Sequence, residues 1–349
     1  MGERFSAGRA GWWKDKRFGI GFALVVLAVV SVPAYLGYRD HGGQLAEVFF
    51  YDLGAAPHAL AIDKFSPEGG VDSIGFPYSG LSVIDLGTGA VKRRRVVREA
   101  ESFLGVTGDL LWFGAGAPVA RDGERLEDVV PAGQAAGRIV ANSPSVRGVA
   151  RLEVDSDSAR LLATSSDGYR YWVDPKTFAA TRAEPSARVA YHRPTLDRPS
   201  ADLRGGQALS LQGSPRSVLH LARRGDAGLR GGPIGADSYL GGAFVCDSPS
   251  GRAIELDRPP SVLIAHQDVM GDDSRFRLSR VALDGRALWT ITQEQTGIAR
   301  GVLLSARLLA DRVVLFTQGD QARGGLRPES PSCAFAISAE GKVLWRTAF

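Results

Sequence analysis

The chain has 349 residues, with 42 Lys and Arg against 38 Asp and Glu, a net charge of +4. Most of that excess sits in residues 1–17, where Arg4, Arg9, Lys14, Lys16 and Arg17 oppose only Glu3 and Asp15. The rest of the chain is close to neutral, which excludes the electrostatic footprint of a nucleic-acid binder.

Residues 18–38, FGIGFALVVLAVVSVPAYLGY, carry no charge. A helix of that length spans roughly 30 Å, the thickness of a bilayer's hydrocarbon core. The sequence therefore predicts a single N-terminal transmembrane helix. Val32-Pro33-Ala34 resembles a cleavage site, so a removable signal peptide is the competing reading. The long basic stretch before it, Pro33 just ahead of the cut and the apolar residues beyond it favour a retained anchor. The basic tail stays cytoplasmic by the positive-inside rule. The Ala, Gly and Arg bias suits a GC-rich bacterial genome. The expected location is the bacterial inner membrane, with a periplasmic C-terminal domain. The expected organisation is a tail at 1–17, an anchor at 18–38, a linker at 39–46 and a folded domain at 47–349.

From about residue 45 the pattern changes to short apolar runs separated by turns. Runs at 47–51, 81–85, 91–97, 110–113, 159–164, 169–173, 262–266, 278–283, 287–292, 313–316, 333–337 and 343–347 are rich in Val, Leu, Ile and aromatics, the composition of strands. No segment after the anchor reads as a convincing helix. Lys92-Arg93-Arg94-Arg95 is the one dense basic run beyond the anchor. It reads as a solvated strand edge that discourages edge pairing, with contact to an acidic partner as the alternative. Asp122-Gly123, Asp167-Gly168 and Asp284-Gly285 lie between apolar runs, a hairpin signal of the type I′ kind. Several hairpins in series predict a meander.

The meander is periodic. Asp85, Asp122, Asp174, Asp247, Asp284 and Glu340 each follow a short apolar run, at intervals several of which approach the repeat of a four-stranded propeller blade. Ala282-Leu283-Asp284-Gly285-Arg286-Ala287-Leu288-Trp289 and Ala336-Ile337-Ser338-Ala339-Glu340-Gly341-Lys342-Val343-Leu344-Trp345 are the clearest copies. They resemble the repeat of quinoprotein-type, PQQ-like β-propellers, A-x-D-x-x-T-G-x-x-x-W, in shortened form. Asp85 and Asp174 head weaker copies without the Trp. Asp85, Asp174, Asp284, Gly285, Trp289, Gly341 and Trp345 are thus the expected structural repeat residues. The resemblance implies an all-β fold of six to eight four-stranded blades, with seven as the leading count. The stretch at about 184–242, rich in Pro, Gly, Arg and Asp, breaks the period and reads as an irregular insertion.

The chemistry is mostly read from what is missing. HExxH, GxSxG, a P-loop and SxxK do not occur. Quinoprotein dehydrogenases carry vicinal cysteines beside the quinone. The two cysteines here, Cys246 and Cys333, are far apart, so that equipment does not carry over and no cofactor is expected. Two isolated cysteines also fail to build a thiolate zinc site, and they read as buried free thiols rather than a bridge. His192, His266 and Asp268 are the candidates for a catalytic site assembled from several blades. Asp268, Asp272 and Asp273 cluster around Gly271 and are the only candidates for a cation, but the spacing is not that of a recognised calcium loop and an ordinary polar hairpin loop is the leading reading. The leading expectation is a non-catalytic binding or scaffolding propeller of the envelope with a protein partner. A hydrolase or lyase with a central-channel site is one alternative, and a sensor ectodomain is another.

Overall fold

The computed structural model describes residues 44–65, 78–98, 102–114, 118–155, 158–189, 200–204, 208–212, 220–223, 229–230, 239–267, 275–298, 301–319 and 332–348. They form antiparallel sheets, all but the fifth wound as a simple meander from strands consecutive in sequence. The first sheet holds β1 (Gln44–Leu53), β2 (Ala56–Phe65), β3 (Tyr78–Asp85) and β4 (Val91–Arg98). The second holds β5 (Phe103–Thr107), β6 (Leu110–Phe113), β7 (Val119–Asp122) and β8 (Asp128–Val130). The third holds β9 (Val149–Asp155), β10 (Arg160–Ser165), β11 (Arg170–Val173) and β12 (Ala180–Arg182).

The fourth sheet holds β13 (Ser200–Asp202), β14 (Ala208–Gln212), β15 (His220–Arg223) and β16 (Leu229–Arg230). In the fifth, β17 (Tyr239–Phe244) and the short β20 (Glu255–Leu256) share one edge of β21 (Ser261–Gln267), followed by β22 (Phe276–Ala282) and β23 (Ala287–Ile291). A separate hairpin, β18 (Cys246–Asp247) and β19 (Arg252–Ala253), branches from it. The sixth holds β24 (Gly301–Leu308), β25 (Val313–Gly319), β26 (Cys333–Ile337) and β27 (Val343–Ala348).

The sheets pack face to face in chain order, as a propeller requires. One apolar cluster joins the first and second sheets through Leu60, Leu81 and Val83 against Leu111, Phe113 and Leu126. A second joins the second and third through Trp112 and Ala120 against Leu161, Ala163 and Val173. A third joins the fourth and fifth, and a fourth joins the fifth and sixth. The last sheet then returns to the first. Val314, Phe316, Ala334 and Ala336 pack on Leu45, Ala59, Ala61 and Ile84. Each buried Leu, Ile or Phe contributes about 1.5–3 kcal/mol, so this return closes the ring strongly. First strands touch first strands: β1 meets β24, β5 meets β9 and β13 meets β17. The first strand of each meander is therefore the inner one, and the fourth is the outer edge.

The repeat residues lie in the turns between third and fourth strands. Asp85 and Asp174 each start a wide turn. The Asp85 N–H donates to the Ala90 carbonyl and the Gly89 N–H to the Asp85 carbonyl; Asp174 repeats this with Ala179 and Phe178. Each carboxylate accepts two N–H groups inside its own turn, from Gly87 and Thr88 or from Lys176 and Thr177. This is why the repeat needs Asp there. The residue that closes each wide turn takes positive φ: Gly89 (75°), Leu126 (57°) and Phe178 (59°). The Leu and Phe tolerate it because their side chains are buried in the neighbouring cores.

The turns at Gly168, Gly285 and Gly341 are tighter. Only the glycine has positive φ, and its N–H donates three residues back, to Ser165, Ala282 or Ser338. This is a type I turn followed by a glycine bulge rather than the type I′ turn that Asp-Gly suggests. In the two shortened repeats the tryptophans reach across to the next sheet. Trp289 covers Gly341, where a Cβ would lie 2.7 Å from the indole, and Trp345 covers Gly89. Trp289 also donates to the Ala339 carbonyl at 2.9 Å.

Two expectations meet a different outcome. A helix, α1 (Gln134–Asn142), connects the second and third sheets and buries Ala135 and Ile139; a second of one turn, α2 (Gln293–Thr296), follows β23. Both are short, and Gly137 weakens the helical signal of α1. Asp247 does not head a third-to-fourth turn. It sits in β18, where its carboxylate accepts the Leu308 N–H of the sixth sheet at 3.0 Å. β1 begins at Gln44. The described residues within 184–242 include the short strands of the fourth sheet. No helix among the described residues is long and apolar enough to cross a membrane, and the expected anchor at 18–38 lies outside them.

Candidate binding surface

The residues expected to form a catalytic or metal site are mostly out of view. His192, Asp268, Asp272 and Asp273 lie outside the described residues. His266 is described. It is buried near the end of β21, and its Nε2 lies 2.8 Å from Ser279 Oγ, which in turn lies 2.8 Å from Thr290 Oγ1. This is a polar ladder across β21, β22 and β23 that fixes the ring inside the sheet. Among the described residues no group of three or more His, Cys, Asp or Glu is placed to hold a metal.

Other buried polar groups are also held by the fold. Arg280 donates to Ser261 Oγ and to the carbonyls of Asp257, Pro259 and Ala339 at 2.7–3.1 Å. Arg121 packs over the Phe113 ring and meets Asp128 at 2.9 Å, and Arg95 of the first sheet reaches the same carboxylate at 3.0 Å. Cys246 and Cys333 are buried free thiols in different sheets. Burial pushes the Cys333 thiol up, against the hydroxyl of Thr317, so it is held in the unreactive thiol form.

The distinctive surface lies on the third sheet. Alternation along its strands sorts the residues by face. Val154, Leu161, Ala163, Tyr171 and Val173 turn toward the second sheet and join its core. The opposite face is turned away from that core. It carries Arg151 and Glu153 from β9, Arg160, Leu162 and Thr164 from β10, Arg170 and Trp172 from β11, and Thr181 from β12.

Leu162 is buried there and Trp172 partly so, with the Arg160 guanidinium 5.1 Å from the indole centroid. Glu153 takes Arg151 at 3.1 Å and Arg170 at 3.8 Å, and Arg170 also donates to the Ala187 carbonyl. In the fourth sheet, Ala201, Leu203 and Leu209 serve the core it shares with the fifth sheet, which leaves Ser200, Asp202, Ala208 and Ser210 on its other face. Among the described residues the third and fourth are the one consecutive pair of sheets that no apolar cluster joins.

A face with Trp, Arg and paired charge suits contact with another protein. Trp, Tyr and Arg are the side chains that dominate protein interfaces. The sequence search missed it because it looked for histidines and carboxylates. The signal was present in β9, VARLEVD, whose alternation puts Leu152 and Val154 on one face and Arg151 and Glu153 on the other.

No protein-family profile and no curated protein matches the chain. Among solved structures, it is similar to BamB from Moraxella catarrhalis, at 16% identity and TM-score 0.19 over 87% of this chain and 91% of that one. It is also similar to a chain of a mitotic checkpoint complex, at 11% identity and TM-score 0.25 over 99% of this chain and 87% of that one. Likenesses at these scores carry no weight for family or function, and the propeller rests on the sheets themselves.

Proposed function

We propose that this chain is a membrane-tethered, non-catalytic binding propeller of the bacterial envelope, whose blades organise a protein partner. The observation that carries this reading is the polar face of the third sheet, where Arg160 and Trp172 stand together beside Leu162 and, among the described residues, no apolar cluster of another sheet joins them. Six sheets, all but the fifth simple meanders, closed from last to first support a six-bladed ring. The Asp turns, with Trp289 and Trp345 lying over the glycines of the following sheet's turn, support reading the blades as PQQ-like repeats. The uncharged run at 18–38 supports a retained anchor and a periplasmic propeller. The apolar stretch ends only a few residues before β1, an inner strand, so the domain would hang close to the bilayer.

The test is capture of envelope proteins from detergent-solubilised membranes by the full chain, compared with Trp172→Ala and Arg160→Ala variants. Loss of a stoichiometric partner in both variants, at unchanged thermal stability, is the expected result. Undiminished capture by both variants would remove that face from the reading. The absence of any stoichiometric partner for the native chain would remove the scaffold function.

A further inference from the structure

The outer edge of the first sheet differs from those of the other sheets. β4 runs eight residues, against three for β8 and β12, two for β16, five for β23 and six for β27. Among the described residues β4 pairs with β3 alone, so its other backbone edge is open. Short outer strands protect a sheet against unwanted pairing, and a long open one invites it.

β4 is guarded by charge instead. Lys92, Arg93 and Arg94 are exposed in succession, and Arg95 follows them half-buried. Alternation puts Lys92 and Arg94 on one face and Arg93 and Arg95 on the other. Any strand laid along this edge therefore meets cations on both of its faces. Carboxylates pair with two of these four cations. Asp85 lies 3.7 Å from Lys92, and Asp128 is already shared by Arg95 and Arg121. Among the described residues no ion pair or hydrogen bond engages Arg93.

We propose that β4 is a docking strand for an extended acidic segment of another protein, which joins the first sheet as a fifth strand. The edge amides supply the backbone bonds common to strand addition, and the cations select the partner. Like charge repels a second copy of β4, while a strand with Glu or Asp at alternate positions gains an opposite charge at each step. A lipid headgroup surface is the competing source of negative charge, and the register argues against it. Gln44, which follows the apolar stretch, lies level with Lys64, Ser79 and Val97 across the sheet. Lys92 is five residues from Val97, about 17 Å along the strand and away from that end. The proposal shares the membrane-anchored reading but not the polar face of the third sheet.

The test uses the purified full chain and a fluorescein-labelled ten-residue peptide alternating Glu with Val and Thr, read by anisotropy. Saturable binding is expected. It should weaken at least tenfold for a Lys92→Glu, Arg93→Glu, Arg94→Glu variant of unchanged melting temperature, and also on raising salt from 50 to 500 mM. A peptide N-methylated at alternate residues, which cannot complete the backbone ladder, should also lose at least tenfold, and the intact peptide should slow hydrogen exchange in β4. Equal binding by the charge-reversed chain, or by the N-methylated peptide, would overturn strand addition at this edge. So would a preference for phosphatidylglycerol vesicles or a DNA oligonucleotide over the acidic peptide. None of these outcomes depends on capture through Trp172, so failure here leaves that face untouched, and the reverse holds.

Discussion

Gly54 and Gly89 separate two costs that a glycine can hide. Both take positive φ, at 61° and 75°. A Cβ at Gly54 would meet nothing within 4 Å, whereas one at Gly89 would enter the Trp345 indole. Gly54→Ala should cost about 1 kcal/mol from backbone conformation alone. Gly89→Ala adds the displacement of a packed tryptophan and should cost about 3 kcal/mol or more, since losing a large aromatic contact falls in that range. Denaturant titration of both variants measures the difference, and equal costs would show that the indole does not lean on Gly89.

The Asp turns make a second prediction at this scale. The Thr177 N–H, ahead of the Lys176 N–H, the Thr177 hydroxyl and the Lys176 charge, holds the Asp174 carboxyl below the usual range against a small opposing effect of burial. Partial burial would raise Asp85, but the N–H and hydroxyl of Thr88, the N–H of Gly87 and the charge of Lys92 together outweigh it. A carboxyl lowered in the folded state binds its proton more weakly there than in the unfolded chain. Its stabilisation is therefore complete above the unfolded value of about 4 and is lost as pH falls through the folded value. Stability should decline on acidification below about pH 4, and Asp174→Ala should show less of that decline. A decline identical to the native chain's would remove Asp174 from the effect.

At the scale of elements, strands were legible and their roles were not. The apolar runs at 81–85, 110–113, 313–316 and 333–337 all become buried strands, because fully buried strands need continuous apolar sequence. The basic run at 92–95 becomes an outer edge strand, as its charge suggests. α1 was missed because nine residues with a central glycine hold little helical signal, and only Ala135 and Ile139, four apart, mark its buried face. That glycine is itself testable. A Cβ at Gly137 would meet nothing within 4 Å, so Gly137→Ala should stabilise the protein by about 1 kcal/mol. A loss of stability in thermal denaturation would mean that the helix needs the glycine for another reason.

For the whole molecule, stability should be uneven around the ring. The seam of the sixth and first sheets is closed by Phe316, Val314, Ile84 and Leu45, while among the described residues no apolar cluster joins the third sheet to the fourth. Regions with few buried apolar contacts open at lower free energy. Amides of β13 and β14 should therefore exchange with deuterium at least a hundredfold faster than those of β25 and β26. Uniform protection around the ring would mean that the fourth sheet is as firmly held as the others.

The sequence by itself determined the class of fold and the local chemistry of its turns. Alternation, apolar run length and Asp or Gly placement act over a few residues, and strand and turn geometry respond to them directly. It also exposed the basic edge and the scarcity of catalytic motifs. Only the tertiary structure decided which faces meet. The same Asp pattern serves a blade turn at Asp85 and a clamp onto the next sheet at Asp247. His266, chosen from the sequence for its chemistry, is held by Ser279 inside a sheet. Trp172 shares a face with Arg160 and Leu162 only because β10 and β11 pair in this register. Contacts between sheets join residues distant in the chain, and no local pattern records which distant strand will pack against a given face.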